Sequence, residues 1–492
     1  MESQKRDDNG EERTPVPQDA FEKIMGSFGR YQLWLCFVIF LSKFFVSFNQ
    51  MAIIFLAPKT TYICEDTKAE TCPCNKPIYD TSIFPNTIVT EWDLICERKW
   101  LISLTQTFFQ VGTLIGSIVF GMASDKYGRK IPTIFAMVLQ MVTSISAAYA
   151  PNYWIFTIIR ILIGIAVGGS MVTTFVLLME FIGNKYRETV SALYHTPYNI
   201  GHMILPLNAY FFRNFRQFQL SISIPSAILM SYFCLLPESP RWLVAVERTD
   251  KAIGILERAA KINKQQVSNI RSEIEAYHAQ LLKNKSGKGT IKDLFRTPNL
   301  RKNIMCMGFI WMTCSYCFYG VSQYVGQLYG NVFINVVSSA SVCLLGTLSS
   351  IPLMKIAGRK KVVITFNSIC AICLLSLMFI EGSVFSVVLA CIGVVSSFIV
   401  FVVVYLYCSE LFPTVVRNAA IGYSSMMARV GSMIAPFVVE AKDTAPWLPP
   451  LAFAILPIIA CIVTLFLPET KDCDLMSSLE EGENFGKKSS KK

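Results

Sequence analysis

The chain has 492 residues, 53% of them hydrophobic and only 16% charged, with a mean hydropathy of +0.45. A soluble domain carries about 25% charged residues, so the composition excludes an ordinary globular protein and points to an integral membrane protein. The net charge of +11 is concentrated in alternate loops. No basic patch is interleaved with exposed aromatics, which excludes nucleic acid as the partner.

Residues 1–30 form a polar segment of mixed charge, read as cytoplasmic. The first apolar run begins near Tyr31 and is too long for a signal-peptide core, so it is expected to remain as an uncleaved first span. A bilayer core needs about 20 apolar residues of helix. Twelve runs qualify, at 31–57, 101–121, 132–150, 153–181, 190–211, 218–236, 303–326, 333–354, 362–380, 384–409, 419–439 and 448–467. The fold class expected is therefore an all-α membrane protein of twelve transmembrane helices.

Two connections are long. The first, 58–100, holds Cys64, Cys72, Cys74 and Cys96, four disulfide candidates whose three possible pairings the sequence leaves open. The second, 237–302, carries fourteen Lys/Arg against seven Asp/Glu. Its stretch KAIGILERAAKI repeats apolar residues at helical spacing, so short amphipathic helices at the membrane surface are expected. The basic connections all fall on one side, which the positive-inside rule makes cytoplasmic. Both termini then lie in the cytoplasm, and 58–100 lies outside. The Asn284-Lys285-Ser286 acceptor falls on the cytoplasmic side and is expected to stay unmodified. Cys314/Cys317 and Cys370/Cys373 have metal-like spacing, but each pair lies inside a span without a second ligand pair. No metal and no cofactor is expected.

An internal repeat divides the chain. Gly128-Arg129-Lys130 recurs as Gly358-Arg359-Lys360, and Glu180…Arg187 recurs as Glu410…Arg417, both 230 residues apart. The tripeptide Pro237-Glu238-Ser239 recurs as Pro468-Glu469-Thr470 at 231. Three matches in order at one offset mean two pseudo-repeats of six helices. The halves are 31–236 and 303–467, joined by the basic loop 237–302 and followed by a tail, 468–492. Such an architecture suits alternating access. Asp125, Arg129, Glu180, Arg187, Arg359, Glu410 and Arg417 at the cytoplasmic helix ends are read as a latch, pairing across the halves when that side closes. Plain helix capping and topology signalling are the alternative.

GMASDKYGRK (121–130) and its weaker repeat KIAGRKK resemble the loop signature of the major facilitator superfamily. The cysteine-bearing loop ending in EWDLICERKW, with PESPRWL (237–243) and YLYCSELFPTVVRNAAIG (405–422), narrows the resemblance. Together they look like the organic ion transporter family of organic cation, organic anion and carnitine carriers. The resemblance implies a secondary transporter at the plasma membrane, with no catalysis. Its partners would be the lipid bilayer, a small organic ion and a coupled ion or counter-substrate.

Arg429, in ARVGS within span 11, matches the place where anion and carnitine members resemble ARVGS or SRLGS. Its fixed charge and donor fork suit a carboxylate, sulfonate or phosphate; an internal ion pair is the structural alternative. The anion-type lysine of span 8 maps to Thr347, the glutamate of cation types to Cys343, and a span 4 lysine to Gly168. This thinner charge set favours a small anion or a zwitterion over a dicarboxylate. Tyr319, with Phe318 beside it, resembles an aromatic cavity position, and Asn49 resembles a polar site of span 1. His195, Asn199 and His202 share one helix face, and Tyr405 is a further cavity candidate. The histidines are candidates for proton coupling or for hydrogen-bonded packing. Lys43 is mid-span and needs either an internal carboxylate or an aqueous cavity. The rival readings are an organic cation transporter, a sugar or neutral-solute carrier, and a non-transporting receptor of the same fold.

Overall fold

The computed structural model describes residues 20–486 apart from 66–67, 71, 266–268, 284–290, 381, 414, 444, 472, 474–475 and 477–478. The Asn284 acceptor lies outside the described residues. Among those described, nine helices are long and apolar enough to cross a membrane. The remaining three are spans 5, 9 and 11. Span 5 is broken into Asn184–Leu193 and Thr196–Phe211, span 9 (Arg359–Ser376) opens on three basic residues, and span 11 (Arg417–Glu440) contains Arg429.

The other spans run Arg30–Leu56 (1), Trp100–Tyr127 (2), Lys130–Ala147 (3), Tyr153–Phe181 (4), Phe215–Leu235 (6), Pro298–Val325 (7), Val332–Ala357 (8), Val384–Leu411 (10) and Leu448–Leu465 (12). Span 6 tightens to a 3-10 stretch over Ile224–Ser231, where Pro225 removes a backbone donor. Span 2 runs six residues past the expected end at 121, to a turn at Gly128.

Packing repeats with the sequence. Spans 1 and 5, 2 and 4, and 3 and 4 associate in the first half; 7 and 11, 8 and 10, and 9 and 10 do so in the second. The halves meet through spans 2 and 11 and through spans 5 and 8, two contacts exchanged by the repeat, since span 8 is the mate of span 2 and span 11 the mate of span 5. Small residues permit the closest approaches, as GxxxG-type pairs do in membranes. A Cβ on Gly112 would lie 2.2 Å from the Ile161 carbonyl oxygen, and one on Gly164 2.2 Å from that of Phe109.

The helix Thr249–Ile262 buries Ala252, Leu256 and Ala259 against protein, not against a bilayer surface. Asn263, just past it, donates to Met25 O at 2.8 Å and accepts from Tyr31 N at 2.9 Å, tying the loop to the start of span 1. In the 58–100 loop Cys64 pairs with Cys74 and Cys72 with Cys96, one of the three pairings left open by the sequence. Its strands β1 (Tyr62–Cys64) and β2 (Pro77–Tyr79) pair antiparallel.

Candidate functional site

The three repeated motifs fold into one assembly in each half. Gly128 (φ 97°, ψ 171°) and Gly358 (φ 83°, ψ 168°) adopt a backbone region open essentially to glycine. Each turn brings the next helix's N-terminus against a carboxylate. Glu238 accepts from Arg129 N at 2.7 Å and Lys130 N at 3.2 Å; Glu469 accepts from Arg359 N at 2.9 Å and Lys360 N at 3.1 Å. An anion is favourable there because the first helical N–H groups have no intrahelical partner.

The capped arginines then reach the E-x6-R acids. Arg129 pairs with Glu180 at 2.9 Å and with Asp125 at 2.7 Å, while Arg359 pairs with Glu410 at 2.7 Å. Each of these three ion pairs lies within its own half; the latch reading expected pairing across the halves when the cytoplasmic side is closed. The reason is geometric: the Gly turn points the Arg side chain back at the neighbouring span of its own repeat. Arg417 lies within the field of Glu410, also in its own half, and Arg187 is exposed at the start of span 5.

Midway along the spans, a polar and aromatic cluster lies between the halves. Gln50 of span 1 donates to the Tyr319 hydroxyl of span 7 at 2.6 Å. Both line a small cavity of ≈ 10 Å³ with Gln106, Gln323 and Ser432, enough space for about one water. Below it stands an aromatic wall. Phe318 packs on Phe398 at 4.9 Å between ring centres, and Trp311 packs on Tyr405 at 4.2 Å. His195, at the break in span 5, has Tyr405 at 5.9 Å and Phe401 at 5.8 Å.

Arg429 is buried, at 8% exposed. Its Nη2 lies 3.9 Å from Met171 Sδ of span 4, in the other half. Among the described residues no carboxylate lies within ion-pair distance of it, so the internal-pair alternative is not what the structure shows. Lys43 is 3% exposed, with Nζ 4.5 Å from the centre of the Tyr194 ring. It too has no carboxylate in reach among the described residues.

The remaining candidates separate. Asn199 is an interhalf clamp: its Nδ2 donates to Thr347 Oγ1 at 2.8 Å across spans 5 and 8. His202 is buried one turn further along, with neither ring nitrogen hydrogen-bonded. Asn49 faces away from the cluster; its Oδ1 accepts from Ser144 of span 3 at 2.8 Å, inside the first half. Asn49 and Gln50 are adjacent, so a helix face that presents one to the other half must turn its neighbour inward.

Arg160 of span 4 escaped the sequence reading, although a charge inside an apolar run is the same signal as Arg429. It is fully buried, donates to Asn49 O at 3.1 Å and Gln106 Oε1 at 2.7 Å, and stacks over Phe109 at 4.4 Å. It thereby fixes the Gln106 amide that lines the small cavity.

Beyond the cluster, on the side of the disulfide loop, the halves are closed by span 2 against span 11. Ser103 N donates to the Glu440 carboxylate at 3.3 Å, and the Thr107 hydroxyl donates to Met433 O at 2.8 Å. Phe55 of span 1 stacks on Phe333 of span 8 at 5.8 Å.

Two six-helix repeats meeting around a central cluster of this kind define a secondary transporter of the major facilitator type. The structure resembles the inward-open conformation of the xylose transporter XylE from E. coli, with a TM-score of 0.69 at 18% identity over 92% of this chain and 99% of that one. Residues 30–480 match the family described as "Sugar (and other) transporter". The chain is 34% identical to the "Organic cation transporter protein" of Drosophila melanogaster, over 85% of this chain and 78% of that one. It is 32% identical to "Organic anion transporter 3" of Oryctolagus cuniculus, over 89% and 81%. The chain belongs to the organic ion transporter family of the major facilitator superfamily and is a multi-pass membrane protein.

Proposed function

We propose that the protein carries an organic anion or a carnitine-like zwitterion across the plasma membrane, by rocking one half against the other about the central cluster. The observation that carries this reading is Arg429, a buried guanidinium between the halves with no carboxylate within ion-pair distance among the described residues. A charge at mid-membrane costs at least about 2.5–3.5 kcal/mol on insertion scales and ordinarily has a partner or a use. A transported carboxylate or sulfonate supplies the missing partner through a charge-assisted pair. The rings of Phe318, Phe398, Tyr405 and Trp311 suit an organic body by stacking.

In this reading the basic loops and both termini face the cytoplasm and the disulfide loop faces outside. The contacts of span 2 with span 11 then seal the outer mouth. The Arg129 and Arg359 assemblies hold each half's cytoplasmic helix ends together as a unit during the rocking motion. No covalent chemistry enters. The aromatic wall also favours one second reading, an organic cation held by cation–π contact.

Uptake in cells tests it, with a labelled aryl carboxylate, a quaternary ammonium and carnitine, for wild type and Arg429→Gln at matched surface amounts. Anion or carnitine flux that collapses in the variant is the expected result. Flux of the quaternary ammonium alone, or flux indifferent to the substitution, would overturn it.

A further inference from the structure

Arg429 is not the only unneutralised charge at the centre. Lys43 belongs to the opposite half, on span 1, and shares a helix face with Ser47 and Gln50 at i+4 and i+7. Gln50 reaches across to Tyr319 of the second half, so this face is the one turned toward the halves' boundary. Ser47 meets span 5 on the same side: a Cβ on Gly201 would lie 2.1 Å from its hydroxyl oxygen.

A buried lysine in a membrane protein ordinarily finds a carboxylate or backbone carbonyls. Lys43 Nζ instead rests on the Tyr194 ring at 4.5 Å. No hydrogen bond or ion pair of its ammonium is present among the described residues. The Tyr194 hydroxyl donates to Met171 O at 3.1 Å, and Arg429 Nη2 lies 3.9 Å from Met171 Sδ, so both cations border the same residue of span 4. Two like charges therefore face one region from opposite halves, with no acid between them. A monoanion would neutralise only one and leave the other buried and uncompensated.

We propose that Lys43 is a second counter-charge of the substrate site, paired in function with Arg429, and that it makes the site prefer organic anions bearing two negative charges over monoanions. The proposal rests on the anion reading of Arg429 and revises the preference for a small anion or a zwitterion over a dicarboxylate drawn from the sequence. It assigns one cation to each half, so a bound dianion bridges the two halves and favours their closure around it.

The test compares uptake of labelled phthalate and benzoate by wild type, Lys43→Gln, Lys43→Arg and Arg429→Gln. Wild type is expected to show a KM for phthalate about 10-fold or more below that for benzoate, the size of one charge-assisted contact. Lys43→Gln should erase that ratio by raising the phthalate KM, and Lys43→Arg should retain it. The ratio is internal to each variant, so differences in surface amount do not enter. A variant that does not reach the surface is purified in detergent, and its thermal stabilisation by the two anions is compared with that of wild type.

A phthalate-to-benzoate ratio unchanged in Lys43→Gln, or absent in wild type, overturns the proposal. If Arg429→Gln abolishes anion uptake while Lys43→Gln keeps the ratio, only the role of Lys43 falls. If Arg429→Gln transports both anions as wild type does, the anion reading itself falls.

Discussion

Gln50 donates its side-chain amide to the hydroxyl of Tyr319 at 2.6 Å, joining span 1 to span 7 across the boundary between the halves. The Gln50 carbonyl oxygen is buried without a partner. Tyr319→Phe would strand the amide donor as well. The expected loss of thermal stability is about 1–3 kcal/mol, the cost of an unsatisfied buried donor. Gln50→Leu removes both polar groups and should cost less, because it also removes the side-chain oxygen already buried without a partner. Thermal melts of the two purified variants check this. Equal melting temperatures would show that the bond does not hold the two halves together.

The two glycine turns make a matched pair of predictions. Gly128→Ala and Gly358→Ala each force a residue with Cβ into a region near φ 97° or φ 83°. The added Cβ would also meet the capping acid, 2.4 Å from Glu238 Oε2 or 2.8 Å from Glu469 Oε2. Backbone strain alone accounts for about 1–3 kcal/mol. Both variants should melt lower than wild type, with the Gly128 variant lower of the two because its contact is shorter. A Gly358 variant as stable as wild type would mean that Glu469 moves aside freely and that the second assembly is not a rigid cap.

These assemblies also mark how far the sequence could be read. The 230-residue repeat of Arg129 and Arg359, and of Glu180 and Glu410, was visible as spacing, and it located the two halves. What the repeat was for was not visible. Glu238 and Glu469 lie about a hundred residues from the helix starts they cap, and nothing local marks a carboxylate as a cap for a distant N-terminus. The cavity followed the same division. Arg429 and Tyr319 stood out as a charge and an aromatic resembling family positions. Lys43 stood out only as an anomaly, since whether it has an acid partner is a question of distance. The break of span 5 at Tyr194 and His195, and the inward turn of Asn49, depend on packing against spans 10 and 3, which one helix's periodicity does not encode.

The disulfide loop yields a chemical prediction. Non-reducing peptide mapping should recover Cys64 linked to Cys74 and Cys72 linked to Cys96. Replacing both members of either pair with serine should destabilise the loop by about 2–4 kcal/mol. The 24-residue separation should matter more than the 10-residue one, since loop-closure entropy grows with length. Surface amounts of the two double variants report the order. Recovery of a Cys64–Cys72 or Cys64–Cys96 peptide would show that the loop pairs differently.

The outer closure gives the last prediction. Glu440 of span 11 accepts from Ser103 N in the first turns of span 2, where the helix start favours an anion. Thr107 adds a bond to Met433 O one turn further along. Both bonds join opposite halves on the disulfide-loop side, so both must break for that side to open. Glu440→Gln keeps the shape and removes the charge, which is worth about 0.3–1 kcal/mol at a helix terminus. That corresponds to a shift of about 2- to 5-fold toward the form open on this side. Gln323, which lines the small cavity beneath the closure, provides a reporter as Gln323→Cys. A membrane-impermeant thiol reagent added outside cells should label it faster when Glu440→Gln is also present. Thr107→Val, which removes the second bond, should act in the same direction, and the double change should label faster than either alone. Labelling at the wild-type rate in all three would mean that the outer mouth is closed by the Phe55–Phe333 stack and that the span 2–span 11 bonds follow the motion without controlling it.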